Sequence, residues 1–130
     1  SDDSFKPVQD RIAMKNSIRY HEDRKKGTCL EKFDAGTLQK SRFNAGVFML
    51  TKKAVDKISP HLDYKNLKGD DNEMLIYAML ESKVKVEQLN WKYNKKNSVS
   101  CYFGHASGYE KFKPNYNMLA VAKETFDASI

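Results

Sequence analysis

The chain has 130 residues, of which 40% are hydrophobic and 12% aromatic, enough for one modest core and too few for several. Its 23 Lys and Arg outnumber 17 Asp and Glu, leaving +6 spread along the chain. That surplus suits an anionic partner without choosing among nucleic acid, a nucleotide diphosphate and a membrane surface. A run of about 18 apolar residues is absent, which excludes a membrane-spanning helix in this sequence, and no charged segment followed by an apolar one opens it.

In chain order, Pro7 is predicted to occupy the first turn of a helix running through Val8, Ile12 and Ile18. From His21 to Arg42 the sequence is polar, basic and punctuated by Lys25-Lys26-Gly27 and Asp34-Ala35-Gly36, and it reads as a long surface loop. Loops of that length inside compact domains tend to be functional or disordered. Phe43 to Leu50 reads as a buried strand interrupted by a polar Asn44-Ala45-Gly46 step, where the glycine marks a bulge or a close backbone approach.

Thr51 caps a helix through Ala54, Val55 and Ile58 that Pro60 stops. Asp70 or Asp71 caps the next, whose apolar face carries Leu75, Ala78 and Met79, broadened by Met74, Tyr77 and Leu80. Val84, Val86 and Leu89 alternate with polar residues as in a half-buried strand. Val99, Cys101 and Phe103 form another short strand, ending in the loop Gly104-His105-Ala106-Ser107-Gly108. A helix follows from Met118 to Ile130. Cys29 and Cys101, far apart and outside any C-x-x-C spacing, read as reduced thiols. The result is a single α/β domain, 1–130, with a mixed sheet flanked by helices. Its strands are too few for a complete doubly wound fold, so the sheet is expected to belong to a larger one.

Four polar stations carry the chemistry, each with a plain structural alternative. A buried Asn44 amide is either satisfied by its own structure or turned toward a ligand. The carboxylates of Asp70-Asp71-Asn72-Glu73 either cap a helix or form a site. His105, between glycines after a strand, sits in a surface turn or projects into a cleft. Lys111 and Lys113 are solvated or grip a diphosphate.

Together the stations resemble glycosyltransferase family 8, the glycogenin and lipopolysaccharide galactosyl- and glucosyltransferase type, over 42–114. Phe43-Asn44-Ala45-Gly46-Val47 is similar to that family's F-N-[SA]-G-V strand, and Asp71-Asn72-Glu73-Met74-Leu75 to its D-Q-D-x-L helix start. Leu89-Asn90-Trp91-Lys92-Tyr93-Asn94 resembles its L-x-x-x-[WY]-N segment, and His105-Ala106-Ser107-Gly108 with Lys111 its H-x-x-G-x-x-K-P-W closing motif. Asn72 stands where the family usually has Gln, and Ile76 where Asn is common. The resemblance implies the C-terminal part of a GT-A fold, transfer of a sugar from a UDP-sugar with retention of configuration, and a divalent cation, Mn2+ or Mg2+. It places Asn44, Asp71 and Asn72 beside the transferred sugar, His105 at the metal, and Gly108, Lys111 and Lys113 at the donor diphosphate.

The family's D-x-D motif and nucleotide-binding strands are expected upstream of Ser1, so this chain alone is expected to show little catalysis. A cytoplasmic or membrane-adjacent setting is expected, with a glycan or other acceptor and no nucleic acid. The alternative is a non-catalytic basic module that grips nucleic acid or an acidic polymer through Trp91, Tyr93, Lys95, Lys96 and the loop at Lys25-Lys26.

Overall fold

The computed structural model describes residues 2–90. The strand expected at Val99, the His105 loop and the helix expected from Met118 lie outside the described residues, as do Trp91, Tyr93, Lys95 and Lys96.

The first element is a strand and not the helix expected from Pro7: β1 runs Phe5–Gln9. Non-local packing decides this. Phe5 is fully buried, with its ring edge-on to Phe43 at 5.2 Å between centroids and tilted against Phe48 at 5.6 Å. β1 pairs antiparallel with β2, Phe43–Leu50, in the register Phe5↔Leu50, Lys6↔Met49 and Pro7↔Phe48. Along its other edge β1 meets Val86 and Leu89 in parallel bridges. There the Phe5 N–H donates to the Lys85 carbonyl (2.7 Å), Glu87 N–H to the Phe5 carbonyl (3.0 Å) and Leu89 N–H to the Pro7 carbonyl (2.8 Å). The next rung requires an N–H on residue 7, which proline lacks, so the expected strand over Val84–Leu89 is reduced to bridges.

The helix expected near Pro7 starts later. Asp10 Oδ1 accepts from the Ile12 and Ala13 amides (3.1 and 3.0 Å) and opens α1, Arg11–Lys15. The region expected as a loop from His21 to Arg42 is helical. Ser17 caps α2, Ile18–Lys25; Thr28 caps a 3-10 turn, Cys29–Lys32; and Asp34 caps α3, Ala35–Ser41. These elements hold together because each buries a side chain completely: His21, Leu30 and Leu38. Lys25 is buried as well. Its ammonium donates to the Phe33 carbonyl (2.7 Å) and pairs with Glu22 at 3.2 Å.

After β2, Thr51 Oγ1 accepts from the Ala54 amide (3.2 Å) and opens α4, Lys52–Ile58, with Pro60 in the 3-10 turn that ends it, as expected. The long helix α5, Asp71–Ser82, begins with a capping box: Asp70 Oδ1 accepts from Glu73 N–H (2.8 Å), and Glu73 Oε1 accepts from Asp70 N–H (3.1 Å). Gly69, at φ +132°, precedes it; a side chain there would be strained by that backbone conformation, and its Cβ would crowd both Cβ and Oε1 of Glu73 at 3.2 Å. α5 buries Met74, Ile76, Ala78 and Met79, while Leu75 stays half-buried.

The described residues thus form a mixed α/β unit: a two-stranded antiparallel sheet and five helices around a core centred on Phe5, Phe43, Leu38, Ile58 and Ile76. Residues 1–89 are compact by themselves. Among the described residues no helix is long and apolar enough to cross a membrane.

Candidate functional site

β1 and β2 lose register midway along the sheet. Phe48 faces Pro7 while Phe43 faces Gln9, so five steps along β2 match two along β1. Asn44-Ala45-Gly46-Val47 therefore bulges opposite Val8. This is the bulge that Gly46 suggested. It removes backbone groups from the ladder, and each needs a new partner.

Two asparagine side chains supply them. Asn72, in the first turn of α5, accepts from the Ala45 N–H through Oδ1 (2.7 Å) and donates to the Phe43 carbonyl through Nδ2 (2.9 Å). Its amide imitates a neighbouring strand across the residue pair that flanks Asn44. Asn44 Oδ1 accepts from the Gly46 N–H (2.7 Å), closing the bulge on itself. Asn44 is exposed, a correction to the buried amide expected from its apolar neighbours. β2 buries Phe43 but alternates between half-buried and exposed residues after it, and the bulge turns Asn44 outward. Among the described residues the Asn44 Nδ2 has no hydrogen-bond partner.

The two sequence stations therefore meet. Asn44 and Asn72 share one knot of hydrogen bonds, and Asp71, next in the chain, is exposed at the helix start. His105, Gly108, Lys111 and Lys113 lie outside the described residues. Beside the knot, β2, α4 and α5 enclose a groove of about 510 Å³ whose walls include Ala45, Phe48, Val55, Ile58 and Leu75. Asp71 is the only charged residue among the described residues that line it.

Sequence reasoning overlooked three polar groups that the fold buries wholly or in part. Arg42 is 2% exposed, and its Nε and Nη2 have no hydrogen-bond partner among the described residues. Burial, followed by the like charge of Arg24, pushes its pKa down, and the carboxylates of Glu73 and Asp70 oppose that shift. His21, also fully buried, holds its Nε2 2.7 Å from the Ala13 carbonyl, which requires the proton on that nitrogen. The usable signal for both was the pair of caps, Ser17 and Asp34, which mark helices where composition suggested a loop. The Cys29 thiol is half-buried with Sγ 3.7 Å from the Glu73 carbonyl; burial, and then the Glu73 charge, raise its pKa.

The described residues bear on two further expectations. Lys25, one of the cations assigned to a nucleic-acid grip, is already committed to Phe33 and Glu22, while Lys26 is exposed beside Asp23. No group of three or more His, Cys, Asp or Glu among the described residues is placed to hold a metal ion. Comparison of the chain with models of known protein families, with curated proteins and with solved structures gives no match.

Proposed function

We propose that the chain is the C-terminal portion of a GT-A type glycosyltransferase similar to family 8, working in carbohydrate or lipopolysaccharide biosynthesis and retaining the configuration of a sugar taken from a UDP-sugar. The observation that supports this reading most is the knot itself. The Asn-x-Gly bulge and the acidic-amide helix start, two motifs distant in sequence, are joined by the Asn72 side chain beside an open groove.

The three residues assigned to the sugar take different parts. Asp71 offers an exposed carboxylate to sugar hydroxyls, and Asn44 offers its remaining Nδ2 donor. Asn72 has both amide functions engaged with β2, so it positions the other two rather than touching the sugar. Gly108, Lys111 and Lys113 take the diphosphate in this reading, and His105 takes Mn2+ or Mg2+. Among the described residues no group of three or more His, Cys, Asp or Glu is placed to hold such a cation. A cytoplasmic, membrane-adjacent setting accompanies the proposal.

The test is an amide-resolved NMR titration of the chain with UDP and Mg2+, repeated with His105→Ala. Saturable shifts at Ala45, Gly46 and Asp71 that vanish in the variant are expected. A spectrum indifferent to UDP overturns the assignment of a donor site to this chain. Salt-sensitive shifts with a single-stranded oligonucleotide in its place would establish the basic binding module.

A further inference from the structure

We propose that the groove between β2, α4 and α5 binds the apolar aglycone of the acceptor, an uncharged alkyl or aryl group attached to the hydroxyl-bearing part that meets Asp71. The inference rests on the transferase reading and adds to it the chemical class of the acceptor.

The groove's size narrows the occupant first. At about 510 Å³ it falls within the roughly 300–1,000 Å³ typical of small-molecule sites, and it is a cleft rather than a broad protein-docking face. Its lining narrows the chemistry. Phe48, Val55, Leu62 and Leu75 make apolar walls, and polar groups come only from Ser59, Tyr64 and Asp71 among the described lining residues. Phe48 is 38% exposed, Val55 41% and Tyr64 65%, so this apolar surface has no covering neighbour among the described residues.

Charge then excludes the anionic amphiphiles. A fatty acid or phospholipid would bring its negative head to a groove whose one charged residue, among the described lining residues, is Asp71. A neutral molecule with a hydroxyl gives that carboxylate a donor instead. Continuity completes the argument. Ala45 lines the groove and lies between Asn44 and Gly46, while Asp71 adjoins Asn72, so a tail in the groove carries its polar end to the residues proposed to hold the donor sugar.

The test uses octyl glucoside below its micelle threshold as probe, followed by methyl resonances of the full chain. Expected are saturable shifts at Ile58 and Leu75, with intermolecular contacts from the octyl chain, and no response to methyl glucoside at the same concentration. Val55→Glu, on an exposed position of α4, should weaken binding at least about tenfold, because the alkyl tail would strip water from a carboxylate. Tyr64→Ala, in an exposed loop that does not support the core, should weaken it severalfold and serves if the first variant misfolds. No saturable shift, or shifts scattered over the surface, overturns the proposal. So does self-association of the unliganded chain that buries Val55 and is lost in Val55→Glu, since the occupant is then a second copy. UDP and Mg2+ added to the same samples separate the two proposals. A UDP response without octyl glucoside binding removes the groove alone, and octyl glucoside binding without a UDP response removes the donor site from this chain and leaves an apolar ligand site.

Discussion

Replacing Asn72 tests the knot at its centre. Asn72→Ala deletes two hydrogen bonds and leaves the Ala45 N–H and the Phe43 carbonyl part-buried without their partner. At about 0.5–1.5 kcal/mol net for each bond, the variant should lose about 2 kcal/mol of stability. With a urea slope of about 1–2 kcal/mol per molar for a unit of this size, the unfolding midpoint should fall by about 1–2 M. Asn72→Asp keeps an acceptor for the Ala45 N–H and gains a favourable charge at the helix start, but faces the Phe43 carbonyl with no donor, so its loss should be about half as large. Hydrogen exchange gives the local readout. The Ala45 amide should lose protection in Asn72→Ala and keep it in Asn72→Asp. A midpoint unchanged in Asn72→Ala, or an Ala45 amide as protected as before, would refute the claim that this side chain replaces the missing ladder.

Arg42→Met should be neutral or stabilising by about 1 kcal/mol in urea unfolding, because it removes a buried charge with two unpartnered donors among the described residues; a loss of about 3 kcal/mol would show that the guanidinium holds a specific partner. Asp70→Ala should cost about 1 kcal/mol by the same assay and release the Glu73 amide to exchange, since it removes the capping side of the box. The Asp34 carboxyl is held below its usual range by the Thr37 hydroxyl and then the Thr37 amide. A folded pKa below the unfolded one means that its contribution is present above the unfolded value of about 3.9 and disappears as the pH falls through the lowered folded value. Urea midpoints measured from pH 5 to pH 2 should therefore fall less steeply in Asp34→Asn, which still caps α3 but does not titrate.

Elements fixed by neighbours in the chain were legible. Thr51 and Asp70 announce α4 and α5 because a cap acts within three residues, and the bounds of β2 follow from its own apolar run between Arg42 and Thr51. The meeting of the Asn-x-Gly step with the acidic helix start was legible only as two separate stations. Proline at position 7 is tolerated both in the first turn of a helix and in a strand where its missing N–H can be spared, and contacts with Phe43, Phe48 and Val86 choose the strand. α2 and α3 were hidden by composition. α2 buries little besides His21 and the Lys25 stem, and Gly36 and Thr37 are poor helix formers inside α3, so burial at Leu38 and the Ser17 and Asp34 caps outweigh weak propensity. Asn44 was misjudged because Gly46 signals a bulge without saying which neighbour it turns outward, and the apolar residues around Asn44 suggested burial.

The rung missing at Pro7 also determines where this sheet gives way. Residues 85–89 hang on β1 by the three bonds to Phe5 and Pro7, against the longer register that binds β1 to β2. Opening that edge disturbs neither the Phe5–Phe43 stack nor the Asn72 knot, so the Glu87 and Leu89 amides should exchange long before that of Lys6. While the edge is open, Phe5 presents an unpaired strand margin to other chains, yet proline in the centre of that margin cannot extend a ladder with a newcomer. The residue that weakens the native pairing thus also guards the exposed strand against self-templated growth.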